Sequence, residues 1–174
     1  MEPDRLASFH DRFVELFEAH FTRIHRYLNR LSGDPALAAD VAQDAFVRLY
    51  RRGSLPDAPE AWLISVAMNL VRNAKSTRSR RLRLLSPARA ENVLSDPPPA
   101  PDEAVEAEDS RRRVRLALDR MPERERRMLL LRAEGYSYRD IAGALRLNEA
   151  SVGVFLARAR QAFRQIYEEI FDAP

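Results

Sequence analysis

The chain has no cysteine, which excludes disulfides, thiolate metal sites and cysteine nucleophiles. Its three histidines, His10, His20 and His25, include no pair at i,i+4, so no helix-face metal site is expected. The five glycines form no phosphate-cradling loop, and no nucleophile–base or paired-carboxylate constellation emerges. The sequence therefore predicts no catalysis, no cofactor, no metal and no small-molecule substrate. No apolar run is long enough to span a membrane. Met1-Glu2-Pro3-Asp4 is acidic and polar, unlike the basic-then-apolar start of a signal peptide. No membrane insertion and a cytoplasmic location are expected. Lysine is almost absent as well: Lys75 stands alone among 29 basic residues. Arginine suits phosphate and base-edge recognition better than lysine. An arginine-rich composition can also reflect a GC-rich genome, so where the charges fall carries more weight than the net +3.

What is present is helical periodicity. The 174 residues suffice for one ordinary domain or two small ones. Leu6, Phe9, Phe13, Leu16, Phe17, Phe21, Ile24, Leu28 and Leu31 are spaced by three and four, which predicts one amphipathic helix over 6–31. Gly33-Asp34-Pro35 ends it and starts another, with Asp34 as N-cap and Pro35 at the first helical position. That second helix, running to about Arg52, spreads Leu37, Val41, Ala42, Ala45, Phe46, Leu49 and Tyr50 over more than half its circumference. Two neighbours must pack on it. A narrow polar strip of Asp40, Gln43, Asp44 and Arg51 is left, which either faces water or docks a basic partner.

Gly53 to Pro59 reads as a loop. A third helix follows from Glu60 to about Arg80, with Leu63, Ile64, Val66, Ala67, Leu70 and Val71 inward. Ser65, Asn69, Arg72 and Ser76 make a polar strip headed by Trp62. Its end gathers Arg72, Lys75, Arg78, Arg80, Arg81 and Arg83 with no acidic residue among them. That exceeds what the helix dipole asks for and suggests a polyanion. Trp62 fits core packing or a border beside nucleic acid.

Residues 84–104, with Pro87, Pro97, Pro98, Pro99 and Pro101, cannot build a core and read as a flexible linker. The predicted fold is all-α: two small helical domains, 1–83 and 105–174, joined by that proline-rich segment. The second domain opens with a helix over 103–120. Another follows Met121, with Pro122 at its first position, and ends near Gly135 as a left-handed cap. Ser137 and Asp140 form a capping-box pattern ahead of Ile141, Ala142 and Leu145. Asn148 then caps a helix over 149–165 carrying Val152, Leu156, Ala159, Phe163 and Ile166 on one stripe. A short helix, a tight turn and an arginine-bearing helix have the layout of a helix-turn-helix. An ordinary helical hairpin shares that layout.

Three stretches then converge. Asp40–Tyr50 resembles the core-polymerase-binding helix of extracytoplasmic-function (ECF) sigma factors, the bacterial RNA polymerase subunits of the sigma-70 superfamily. Ala61–Leu70 resembles their promoter-melting helix. Leu118–Arg126 with the helix-turn-helix resembles their promoter-reading domain. The likeness covers about 150 residues in the right order.

The resemblance implies a protein that binds core RNA polymerase and directs initiation at promoter DNA by recognising −35 and −10 elements. Asp40, Gln43, Asp44 and Arg51 would grip the polymerase. Trp62, Ser65, Asn69, Arg72, Lys75 and Ser76 would follow the melted −10 strand, one base being turned into a pocket at Gly53–Glu60. Ser151, Val154, Arg158, Arg160, Gln161 and Arg164 would address the −35 element. Many relatives carry Lys-Ser-Arg where this chain has Gly153-Val154-Phe155, so base readout should be weaker there or shifted to Ser151, Arg158 and Gln161. Val154 can touch a thymine methyl but makes no bidentate base contact. Arg146 occupies a turn position where relatives often have glycine. An anti-sigma partner is implied too. The alternative is a stand-alone two-domain regulator that never engages polymerase. Free in solution, the protein is expected to be a monomer with loosely coupled domains.

Overall fold

The computed structural model describes residues 3–85 and 102–171. Among these residues the chain forms seven helices and no strand. They are α1 (Pro3–Ser32), α2 (Pro35–Arg52), α3 (Pro59–Leu85), α4 (Asp102–Arg120), α5 (Glu123–Ala133), α6 (Tyr138–Leu145) and α7 (Glu149–Phe171).

The ends of the helices follow local chemistry. The Leu37 amide donates to Asp34 Oδ1 at 3.0 Å, capping α2, and Pro35 sits where no amide is needed. Gly53 closes α2 in the left-handed region at φ 69°, which glycine adopts without steric cost. Gly135 does the same beyond α5 at φ 82°. Its amide bonds to the Arg132 carbonyl and that of Tyr136 to the Leu131 carbonyl, the paired bonds of a Schellman ending. Pro122 differs from expectation. It is the residue before α5, with extended ψ of 139°, rather than the first helical residue. The helix-starting Glu123 is left free to pair with Arg127 one turn on.

α1, α2 and α3 pack around Ile24, Leu28, Ala38, Phe46, Leu49, Leu63 and Ile64, each 0–2% exposed. In the second half α7 lies against α4, α5 and α6, burying Val152, Leu156 and Ala159. α7 runs six residues beyond the expected 165, to Phe171. Phe163, Tyr167 and Phe171 form a ladder along it, with centroids 5.9 and 5.1 Å apart, and Arg113 of α4 lies over the Phe171 ring. The helix is extended by this tertiary support, which its intrinsic propensity does not announce. The helices also claim residues 84–85 and 102–104 of the expected linker; residues 86–101, to which its flexibility was assigned, lie outside the described residues.

The two halves are not loosely coupled. Their buried side chains belong to one continuous core cluster, in which Ile24 and Leu28 of α1 share space with Met128, Leu131 and Tyr136. α6 lies on α3 and α5 on α1. Sequence periodicity assigns apolar residues to helix faces, but it does not say which faces meet across a long connection.

Candidate docking and nucleic-acid interfaces

α2 turns its buried side, Ala38, Val41, Ala42, Ala45, Phe46 and Leu49, to α1 and α3. Asp40, Gln43 and Arg51 are exposed as expected. Asp44 is ion-paired one turn along with Arg48, Nη2 to Oδ2 at 3.2 Å. Its charge is thereby partly neutralised, and the strip is less acidic than the four residues alone suggest. Beside it runs a feature that sequence reasoning missed. Phe13, Val14, Phe17 and Phe21 of α1 face Phe46, Val47 and Tyr50 of α2 across an apolar cleft of about 620 Å³, with Gln43 and Arg51 on its rim. Phe17, Val47 and Tyr50 are 38%, 37% and 50% exposed, and no described element covers them. Contiguous apolar surface of this kind marks an interaction site. The sequence signal was an excess: α1 and α2 carry more apolar positions than their mutual contact buries.

α3 carries two kinds of position. Asn69, Arg72, Lys75 and Ser76 are exposed, and Arg72 donates to Asn69 Oδ1 at 3.0 Å, which pre-arranges two of them. Trp62 is only partly buried and packs against the core. Ser65 donates its hydroxyl to the Ala144 carbonyl of α6 at 3.1 Å, so it is engaged by the other half of the chain. Protein crowding, then the Arg126 guanidinium, lowers the pKa of Lys75. In the loop before α3, Leu55 packs against the core, and in the first turn of α3 Glu60 turns to His20 and Arg23 of α1 at 3.5 and 3.9 Å. The side chains of Arg80, Arg81 and Arg83 lie outside the described residues.

The helix-turn-helix is α6 and α7. Ser137 and Asp140 complete the capping box, with both reciprocal bonds present, and the Ala150 amide donates to Asn148 Oδ1 at 3.0 Å. Arg146 is the only non-glycine residue at positive φ among the described residues, at 56°. This backbone position turns the chain sharply enough to seat α7 against α6. Phe155 packs inward, with Arg124 over its ring at 5.0 Å. Val154 points out and is 57% exposed, and Ser151 is partly buried. Arg158, Arg160, Gln161 and Arg164 are exposed. None of these three arginines has a carboxylate within ion-pair distance among the described residues, so their guanidinium donors are available to phosphates.

An exposed polar strip on α3 and a capped helix-turn-helix with exposed arginines thus lie on one all-helical scaffold. Residues 16–81 match the family described as Sigma-70 region 2, and residues 111–163 match Sigma-70, region 4. Among similar proteins, RNA polymerase sigma factor CarQ of Myxococcus xanthus is 30% identical over 162 residues, covering 91% of this chain and 88% of that protein. Probable RNA polymerase sigma factor RfaY of Xanthomonas campestris pv. campestris is 32% identical over 150 residues, 82% of this chain. ECF RNA polymerase sigma factor SigE of Mycolicibacterium smegmatis is 29% identical over 153 residues, 86% of this chain. The chain spans only 37% of the length of RfaY and 59% of that of SigE. The fold is similar to that of the sigma factor RpoE from Bartonella quintana, solved in complex with the anti-sigma factor NepR. That match has a TM-score of 0.66 and 19% identity over 90% of this chain and 97% of that one. The chain belongs to the ECF sigma factors of the sigma-70 family.

Proposed function

We propose that the chain binds core RNA polymerase and directs promoter-specific initiation, with residues 1–83 docking polymerase and reading the −10 element, 105–174 reading the −35 element, and 84–104 joining them. It has no catalysis of its own in this reading, RNA synthesis being the polymerase's chemistry, and it acts in the cytoplasm. The observation that carries the proposal is the α2 face, where Asp40, Gln43, Asp44 and Arg51 border the exposed apolar cleft of Phe17, Val47 and Tyr50. A stand-alone DNA-binding regulator leaves that face without a partner.

On α3, Asn69, Arg72, Lys75 and Ser76 are the residues proposed to follow the −10 strand, with Trp62 at its border and Ser65 joining once free of α6. On α7, Arg158, Arg160 and Arg164 hold phosphates and so position the domain. Ser151 and Gln161 supply hydrogen bonds to base edges, and Val154 contacts a thymine methyl. The RpoE–NepR complex supports an anti-sigma factor as a further partner, the α1–α2 cleft being a surface that such a protein can cover.

The test is gel filtration of the purified chain with bacterial core RNA polymerase, beside a variant carrying Asp40→Arg, Gln43→Arg and Asp44→Arg. Co-migration by the wild type, lost in a variant that remains helical, is expected. Failure of the wild type to co-migrate while it still binds DNA returns the reading to a stand-alone regulator.

A further inference from the structure

Lys75 is the only lysine among 29 basic residues, and its surroundings set it apart from the rest. It is exposed on α3, one turn from Arg72 and next to Ser76, on the strip proposed to follow single-stranded DNA. It also lies beside the seam at which the two halves of the chain meet, within electrostatic reach of Asp119 of α4 and of Glu123, Arg126 and Arg127 of α5. Both carboxylates are already engaged: Asp119 by Arg126 at 2.9 Å, Glu123 by Arg127. No carboxylate among the described residues stands within ion-pair distance of Lys75 itself. The side chains of Arg126 and Arg127 are only 15% and 19% exposed, so water screens their charges poorly. One turn away on its own helix, Arg72 and Arg78 are cations too. Partial desolvation, then the Arg126 charge, accordingly favour the neutral amine of Lys75.

An amine beside a guanidinium differs in kind from every other cationic side chain here. Arginine stays protonated and offers no free electron pair near neutral pH, whereas a lysine that sheds its proton is a nucleophile. Chemistry directed at side-chain amines therefore has one address in this chain, and that address lies on the proposed nucleic-acid strip. The same guanidiniums set up a positive field that favours the approach of an anionic donor.

We propose that Lys75 is an acylation site, that its donor is a small acyl phosphate, and that the modification weakens the contact of α3 with the −10 strand. In the step, the neutral Nζ attacks the acyl carbon. A C–N bond forms, the C–O bond to phosphate breaks, and inorganic phosphate leaves. The starting ammonium gives up two protons, one to the departing phosphate and one to solvent, and nothing is oxidised or reduced. The product amide is uncharged, so one cation is deleted from the Asn69–Arg72–Lys75–Ser76 strip. Acylation itself needs only the surroundings of Lys75; its effect on DNA rests on the function proposed above.

The full-length chain is treated with acetyl phosphate, and acetyl-Lys75 is followed by peptide mass spectrometry, which separates it from any acetylated N-terminal amine. Free Nα-acetyl-lysine, in buffer and in guanidinium chloride, normalises the rates for solvent. Folded protein is expected to acetylate at Lys75 at least ~3-fold faster than guanidinium-unfolded protein, because the neutral fraction rises about tenfold for every unit by which the pKa falls. Equal or slower reaction of the folded chain overturns the site. Arg126→Gln, checked for retained helix by circular dichroism, should bring the folded rate toward the unfolded one, and an undiminished rate overturns the role of Arg126. Protein acetylated at Lys75 and untreated protein are then each combined with core RNA polymerase on genomic DNA from the bacterium that encodes the chain, and new transcript starts are counted. Acetylation is expected to lower the starts by ~3-fold or more, about the worth of one phosphate contact. In Lys75→Arg, which has no side-chain amine to modify, treatment with acetyl phosphate should not alter that variant's own level of starts; a fall there places the effect at another residue and overturns the assignment. Equal starts from acetylated and untreated protein overturn the effect on DNA. Absence of starts from untreated protein overturns the sigma-factor reading instead, and acylation of Lys75 is then decided by the rates alone.

Discussion

Arg26 and Glu134 meet at 3.1 Å across 108 residues of sequence. The carboxylate side chain is 3% exposed, whereas the guanidinium is 57% exposed and the neighbouring Arg30 53%. A buried carboxylate held by two half-solvated arginines depends on both for its desolvation cost to be met. Glu134→Ala removes the charge and leaves the arginines free to return to water, so the effect falls on the seam and spares each helical unit. A loss of about 1–3 kcal/mol is expected, seen as a lower first transition in a thermal melt. Arg26→Ala with Arg30→Ala strands the carboxylate and should cost more than Glu134→Ala. The reverse order would mean that the carboxylate is not desolvated in solution.

Tyr27 and Tyr136 are both fully buried, and burial, as the largest cause in each case, pushes their ionisation above the ordinary tyrosine range. A phenol whose folded pKa is raised contributes stability in full below its unfolded value of about 10, and that contribution is lost as pH rises beyond it. Lys75, exposed and shifted downward, acts in the opposite sense: its contribution is present above the ordinary lysine value and diminishes below it. Two buried phenols outweigh one exposed ammonium. The packed form is therefore predicted to weaken above about pH 10. Tyrosinate absorbance from Tyr27 and Tyr136 should appear only together with unfolding or separation of the helices. Their ionisation in a protein that stays fully packed would contradict it.

Arg146 carries a left-handed backbone at φ 56° and ψ 52°. A side chain there costs about 1–2 kcal/mol that glycine avoids. Arg146→Gly should stabilise the second half by roughly 1 kcal/mol after the extra freedom that glycine brings to the unfolded chain, seen as a higher melting temperature. A destabilised variant would show that the Arg146 side chain makes a contribution exceeding the strain.

Val47 is 37% exposed and lines the α1–α2 cleft. Val47→Asp leaves the core of α2 intact, so stability should move by under about 0.5 kcal/mol. Binding to core polymerase should fall by about tenfold or more, because a carboxylate is desolvated at an apolar contact. Unchanged affinity, measured by fluorescence titration, would remove the cleft from the docking face.

Arg158, Arg160 and Arg164 are exposed and without carboxylate partners among the described residues. Each changed to Gln should weaken DNA binding across sequences and lower the salt slope by about 1. Val154→Ala should instead weaken only sites that contain the contacted thymine, with deoxyuridine substitution giving the same loss. A sequence-independent effect of Val154→Ala would assign it to packing.

Much of this architecture was written into local residue patterns. Asp34-Pro35, Ser137 with Asp140, Asn148, Gly53 and Gly135 act within a few residues of themselves, and each sits at the helix end it announces. Three- and four-residue spacing likewise placed Val152, Leu156 and Ala159 inward and Val154 outward. Pro122 was misplaced by one position because proline suits both the residue before a helix and its first turn. The full length of α7 was missed because Phe163, Tyr167 and Phe171 gain their support from α4, a partner distant in sequence.

The sequence by itself determined the helices, their caps, the all-helical class and the polar strips, because hydrogen bonding and side-chain periodicity act over one or two turns. Only the tertiary structure decided which apolar faces are covered and which stay open. Phe17 and Tyr50 read as core residues and line an exposed cleft, whereas Ser65 reads as a surface residue and is taken by α6. The same holds for Glu134, whose burial depends on arginines 104 and 108 residues away. Burial is a property of what packs on a residue, and no local pattern specifies a partner that arrives from the far end of the chain.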